Sequence, residues 1–410
     1  MATTVNANGL RITEHEFSVP LDHAHPGDGR IGVFVREVSE PEGRDRPYLV
    51  FLQGGPGMEA SRPTRGPAGP TWLDRALRDF RVLLLDQRGT GRSTPIGTLP
   101  GLSPVQQADY LKHFRADSIV LDAEWIRGEL GVDRWSVLGQ SFGGFCVTAY
   151  LSMAPDSLRE ALITGGLPPV GRHTDEVYAA TYRRVLDKNR LYYERYPKDR
   201  ARVAKLLERL ETQDVRLPSG DRLTARRLRQ LGIMLGMSDG AEHLHYILEL
   251  PPESPAFLHD VESASSFPRN PLYAVIHESS YADGCATRWS AERLLPEELA
   301  AGELFTGEHV YSWMLDDFSG LAPLKEAANI LAEFNWPRLY DAAALAANEI
   351  PVAAAVYAND MYVERAFSEE TARLIRGART WVTSEYEHNG LRADGERVLG
   401  HLLDLVRPPA

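Results

Sequence analysis

The chain has 410 residues, 43% hydrophobic and 25% charged, enough apolar material for a large core; one α/β domain with an insertion, or two domains, is the expected range. A formal net charge of −12 argues against nucleic acid or an anionic membrane as the main partner, since both demand a basic face, and leaves a small or cationic substrate open. Cys146 and Cys285 are too few for a disulfide framework, and the first residues show neither the basic start nor the apolar run of a leader. No apolar run approaches the roughly 18 residues of a membrane span, so a cytoplasmic protein is expected.

Residues 11–22 and 30–39 alternate and are rich in β-branched side chains, which predicts two paired strands across the turn-rich segment 23–29, the antiparallel edge of a larger sheet. Segments 46–53 and 80–86 are nearly continuous apolar runs, as in strands covered on both faces. The first runs into Gly54-Gly55-Pro56-Gly57 and the second into Gln87-Arg88-Gly89-Thr90-Gly91-Arg92-Ser93. A helix over about 115–130 precedes a strand at 135–139, and 160–165 is the next strand. Strands alternating with helices predict a parallel sheet.

From about residue 171 to 339 the chain is rich in Arg, Glu, Leu and Tyr and lacks buried-strand runs, which predicts an inserted helical domain. The strand pattern returns at 350–357, followed by a helix over 363–375, a strand over 379–384 and an amphipathic helix from about 391 to 406. The expected division is therefore a sheet domain formed by 1–170 and 340–410, with a helical cap at 171–339.

The sequence Gly139-Gln140-Ser141-Phe142-Gly143 lies between a predicted strand and a predicted helix. A chain that turns sharply there needs glycines on both sides of the serine to avoid side-chain collisions, and the turn lifts the hydroxyl above the sheet. The Phe142 N–H, opening the helix, is then free to face an oxyanion. A nucleophilic serine needs a base, and the base an acid, which on such a sheet follow in the order Ser, Asp or Glu, His. Asp360 lies just past the strand at 350–357 and His388 just past the last strand, so the two loops emerge on one side. Gly54 and Gly55, without side chains, let a backbone N–H approach the substrate oxygen and complete an oxyanion hole with Phe142. The loop lacks the Gly-Lys-Ser/Thr ending of a phosphate loop. Asp86 and Arg88 are expected to support their loop by ion pairing. His401 reads as a packing or surface residue of the last helix, and His243 and His245, two apart, point to different helix faces; no metal site and no cofactor are expected.

Together, Gly-Gly-Pro-Gly, Asp86-Gln-Arg-Gly-x-Gly-x-Ser93, the Gly-Gln-Ser-Phe-Gly-Gly elbow and the late Asp and His resemble the proline iminopeptidases (prolyl aminopeptidases) of the α/β-hydrolase fold, in particular their longer members. Gln53 stands where many members have histidine, a difference of subfamily. The resemblance implies an α/β-hydrolase with a helical cap, a Ser141–His388–Asp360 triad and a peptide substrate with a free N-terminal proline. The stretch Pro271–Trp289 resembles the cap segment of the longer members, which implies Glu278 as the acid that binds the substrate's ammonium, with Glu194, Glu242 or Glu249 as a second. Tyr281 and Trp289 are candidates for the walls of a pyrrolidine slot, with a core role equally open. Cys285, in the same segment, is expected near the pocket. The fold and triad leave an esterase, amidase or lactonase open, and a non-catalytic binding protein as the remote alternative. Oligomeric state is not readable from the sequence.

Overall fold

The structure, a computed structural model, describes residues 3–66 and 69–407. Its strands are β1 (Thr3–Ala7), β2 (Leu10–Pro20), β3 (Arg30–Ser39), β4 (Tyr48–Leu52), β5 (Arg81–Leu85), β6 (Trp135–Gln140), β7 (Leu158–Thr164), β8 (Val352–Tyr357) and β9 (Arg379–Thr383). They form one sheet in the order β1-β2-β3-β5-β4-β6-β7-β8-β9. The first three strands pair antiparallel, β3 meets β5 antiparallel, and every further pairing is parallel. This is the expected α/β architecture, mostly parallel and flanked by helices.

Period-2 alternation in strands buried on both faces sends successive side chains into two separate cores. On β4, Leu49 and Phe51 pack with α1 (Thr71–Leu77) and the C-terminal helix, whereas Val50 and Leu52 pack with α3 (Ala116–Glu129) and α4 (Phe142–Met153). A helix at Pro104–Leu111, here α2, precedes α3 and opens with a Ser103 capping box.

Two elements differ from expectation. β1 is a fully exposed, polar edge strand, and only its pairing with β2, Val5 opposite Ile12, makes it a strand. The terminal amphipathic helix is two helices, Gly390–Ala393 and Gly395–Val406, broken at Asp394. Gly395 lies so close to α1 that a Cβ would come 2.5 Å from the Trp72 nitrogen, and its N–H donates to Thr71 Oγ1.

Between β7 and β8 the described chain adds no strand to the sheet. It contains α5 (Thr174–Arg195), α6 (Pro197–Thr212) and a series of short helices and 3₁₀ turns. The inner face of α5 carries Val177, Tyr178, Thr181, Tyr182, Val185 and Tyr192, all buried at helical spacing. No helix among the described residues is long and apolar enough to cross a membrane.

Candidate active site

β6 delivers Ser141 to the C-terminal edge of the sheet, and α4 begins at the next residue. Ser141 has φ 56° and ψ −126°, a backbone region costly for any residue with a side chain. The neighbours make the turn feasible: a Cβ on Gly139 would lie 2.3 Å from the Gly143 carbonyl oxygen, and one on Gly143 only 1.8 Å from that of Leu52. The elbow is tied down by the Ser141 N–H donating to Thr164 O on β7 at 2.9 Å, and by the Gly144 N–H donating to Ser141 O at 2.7 Å. Gly166, just past β7, passes directly beneath; a Cβ there would sit 2.1 Å from Ser141 O. Gly165-Gly166, a glycine pair ending the strand beside the elbow, is a mark of this crossing visible in the sequence.

The Phe142 N–H, first of α4, has no acceptor within the helix and lies at its positive end. The Gly54 backbone packs against Ser141, with an ideal Cβ only 2.9 Å from Ser141 Cβ, and Gly54 and Gly55 line the same cavity as Ser141.

Because β6, β7, β8 and β9 run parallel, the loops after β8 and β9 emerge on the edge that carries Ser141. His388 Nδ1 lies 2.7 Å from Asp360 Oδ2, with both residues buried. The other Asp360 oxygen accepts the N–H groups of Tyr362 and Val363 at 2.8 and 3.1 Å, so the carboxylate is fully committed and its orientation fixed. That pairing places a proton on Nδ1 and leaves Nε2 as the acceptor nitrogen. Burial pulls the His388 imidazole down, and the Asp360 carboxylate, together with the Glu308 and Glu387 carboxylates, more than offsets this, leaving it above its ordinary value.

A cavity of about 630 Å³ covers Ser141 and His388. Gln53, Gly54, Gly55 and Gln140 line it from the sheet side, and Ile233, Met234, Phe267, Tyr273 and Glu308 from the cap. Its exposed lining residues are Ser61, Asp239, His243, Ser266 and Arg392, which mark the mouth. Glu308 accepts a hydrogen bond from the Tyr273 hydroxyl at 2.9 Å. Among the described residues no Lys or Arg pairs with it. Burial pushes its carboxyl up to about 7, offset only in part by His388 and the Tyr273 hydroxyl. A carboxylate in this condition gains most from a cation brought into the cavity.

The cap residues expected to bind substrate lie elsewhere. Glu278 accepts the backbone N–H groups of Ser290 and Ala291 at 3.2 and 2.8 Å, capping the one-turn helix Ser290–Arg293. Its carboxyl is also pushed up to about 7 by burial. Trp289 precedes that helix at φ 54° and donates its indole N–H to Asn329. Tyr281 is buried edge-on to Phe145 and Tyr178, at centroid distances of 5.5 and 5.8 Å. None of the three lines the cavity over Ser141: Glu278 is spent on the helix at 290, Trp289 on Asn329, and Tyr281 on Phe145 of α4 and the Tyr362 carbonyl. Glu194, Glu242 and Glu249 lie against arginines: Arg190, Arg195 and Arg202. Cys285, half-buried, is outside the cavity as well. Glu308 was missed, although the signal existed: like Glu278, it sits in an apolar stretch with no Lys or Arg within four residues. Arg88 does fold its loop by ion pairing, but with buried Asp122, Nε to Oδ2 at 2.7 Å, while Asp86 accepts the Arg92 N–H.

A mostly parallel sheet with a serine elbow after β6, an Asp–His pair on later strand loops and a helical insertion before β8 is the architecture of an α/β hydrolase, and the alpha/beta hydrolase fold family matches residues 47–391. The proline iminopeptidase of Aeromonas sobria is 51% identical over 98% of this chain and 97% of its own length. Proline iminopeptidase aneH of Aspergillus aculeatus is 34% identical over 96% of this chain and 93% of its own. Among solved structures, esterase E22 superposes with a TM-score of 0.53 at 10% identity, covering 96% of this chain and all of the esterase, a likeness of fold alone. The chain belongs to the proline iminopeptidase family of α/β hydrolases.

Proposed function

We propose that the chain is a serine aminopeptidase that releases proline from the N-terminus of short peptides or prolyl amides, with Ser141, His388 and Asp360 as its triad. The observation that carries this reading is Glu308, a carboxylate with no Lys or Arg partner among the described residues, in the cavity that also holds Ser141 and His388. N-terminal proline presents a secondary ammonium with two N–H donors, and Glu308 together with the Tyr273 hydroxyl forms a site for it in a partly desolvated pocket. Ile233, Phe267 and Tyr362 supply apolar surface for the pyrrolidine ring. With the ammonium held at Glu308, the rest of the peptide leaves toward Ser61, Asp239 and Arg392. The cap, residues 171–339 in this reading, thereby ends the groove one residue before the scissile bond.

His388 Nε2 takes the Ser141 proton as Oγ attacks the prolyl carbonyl, and the oxyanion faces the N–H groups of Phe142 and of Gly54 or Gly55. The proton passes to the departing amine as the C–N bond breaks, leaving a prolyl ester on Ser141. Water deprotonated by His388 attacks that ester, and proline departs as Ser141 regains its proton. No step calls for a cofactor. Two cysteines, one buried and one half-buried, both free thiols, fit a reducing, cytoplasmic compartment. The reading is tested by turnover of prolyl anilide against a simple acyl ester, with fluorophosphonate labelling of Ser141. Prolyl turnover lost in Ser141→Ala with the circular dichroism unchanged is expected; ester turnover alone in the native chain would leave an esterase, and no labelling a binding protein.

A further inference from the structure

The residues at and beside the proposed base are bonded to the cap. The His388 N–H donates to Gly236 O at 3.1 Å. The Glu387 N–H donates to Ser238 Oγ at 3.4 Å, and the Glu387 carboxylate pairs with Lys188 of α5. Asn389 Oδ1 accepts both the N–H and the hydroxyl of Ser238, each at 2.9 Å. The ring of Tyr362 stands edge-on to His388 with centroids 4.8 Å apart, and its hydroxyl donates to the Ile233 carbonyl. Gly236 packs so closely on that ring that a Cβ would lie 2.3 Å from Tyr362 Cζ. From the sheet domain the same loop receives a Glu385 N–H bond to Thr383, a Tyr386 hydroxyl bond to Asp394, the Asp360–His388 pair, and the Asn389 carbonyl bonds to Arg392 and Ala393. The backbone N–H groups of Glu387 and His388 both go to the cap.

We propose that Ser238 is a positioning residue for the general base, and that the cap segment 236–238 completes the catalytic geometry as well as covering the substrate. The inference rests on the triad reading above. Its hydroxyl accepts from the residue before His388 and donates to the residue after it, so one side chain of the cap spans the loop that carries the base. Asp360 fixes the ring at Nδ1 but leaves the loop free to shift along that bond. Nε2 has to meet Ser141 within a few tenths of an ångström, a tolerance that an untethered loop does not hold.

The test is Ser238→Ala in the full chain, read on prolyl p-nitroanilide, on p-nitrophenyl acetate, which has no ammonium, and on the rate of fluorophosphonate labelling. Positioning predicts that kcat on both substrates and the labelling rate fall by one common factor of about ten, with KM for the anilide unchanged. Ser238→Thr, which keeps a hydroxyl, should recover most of the loss. A raised KM for the anilide with ester turnover and labelling intact would make Ser238 a substrate contact and overturn the proposal. Unchanged kinetics throughout, or a loss that Ser238→Thr does not recover, would also overturn it. Should Ser238→Ala fail to fold by thermal melt, Asn389→Ala removes the Ser238 hydroxyl and N–H bonds to Asn389 while keeping the Glu387 bond, and should lower kcat on both substrates and the labelling rate by one common factor. His388→Ala separates the two readings: persistent labelling and turnover there would defeat the triad, whereas their loss beside a fully active Ser238→Ala would defeat the positioning alone.

Discussion

Glu278 and Glu308 are two carboxylates of the segment between β7 and β8 with nearly the same electrostatic condition and different surroundings. Burial pushes each up to about 7, and neither has a Lys or Arg within four residues along the chain. Glu278 faces the start of the helix at 290 and spends its oxygens on two backbone N–H groups. Glu308 faces the cavity over Ser141 and has one tyrosine hydroxyl. A shifted pKa therefore does not distinguish them; the unused hydrogen-bonding capacity does, since a buried acid whose acceptors are filled by the fold has nothing left to offer a ligand.

The largest effect is one that leaves this contrast untouched and so calibrates it. Asp360→Asn leaves His388 with the wrong tautomer and should lower kcat by about 10⁴ on prolyl anilide and on a simple ester alike. A loss confined to the prolyl substrate would mean that Asp360 serves the ammonium and not the base.

Glu278→Ala sharpens the contrast from the structural side. It strands the N–H groups of Ser290 and Ala291, both residues fully buried, and should destabilise the fold by about 2–4 kcal/mol. Chemical denaturation measures that loss, and kcat/KM per folded molecule should stay near that of the native chain. A selective loss of prolyl turnover at full stability would return Glu278 to the substrate.

The smallest effects concern pH, and their signs differ. Glu308 must be ionised to hold an ammonium, so kcat/KM for prolyl anilide should fall as pH drops below about 7, in addition to the limb from His388 protonation that an ester also shows. Glu278 holds its proton more tightly folded than unfolded. Its contribution to stability is therefore complete below its ordinary value of 4.5 and is lost as pH rises through about 7. Glu278→Gln should gain stability relative to the native chain across that interval, and a parallel pH dependence of the two proteins would contradict the assignment.

The same division explains what was legible in the sequence. The sheet strands, the elbow and the order Ser141, Asp360, His388 rest on local patterns: apolar runs, glycines where a Cβ collides, and residues one loop beyond a strand end. Parallel strands turn that local order into proximity, which is why Asp360 and His388 meet at 2.7 Å as the spacing implied. β1 was invisible because its strand character comes from pairing with β2 and not from its own polar residues. In the cap, a resemblance in the stretch 271–289 pointed to Glu278, but which way a 3₁₀ turn faces is settled by packing against the helix at 290, a contact that no short-range pattern encodes. Glu308, from the same cap, carried the same local mark and remained unseen for the same reason.

In the proposed site it is Glu308, and not Glu278, that makes this hydrolase an aminopeptidase. The direct measurement is the ratio of kcat/KM for prolyl anilide to that for cyclopentanecarbonyl anilide, an isostere without the ring nitrogen, in the native chain, Glu308→Gln and Glu278→Gln. Glu308→Gln should lower the ratio by about thirtyfold or more, matching the roughly 2 kcal/mol minimum for losing one partner of a buried charged pair, while Glu278→Gln should leave it unchanged. A ratio preserved in Glu308→Gln, or one that collapses in Glu278→Gln, would contradict this assignment.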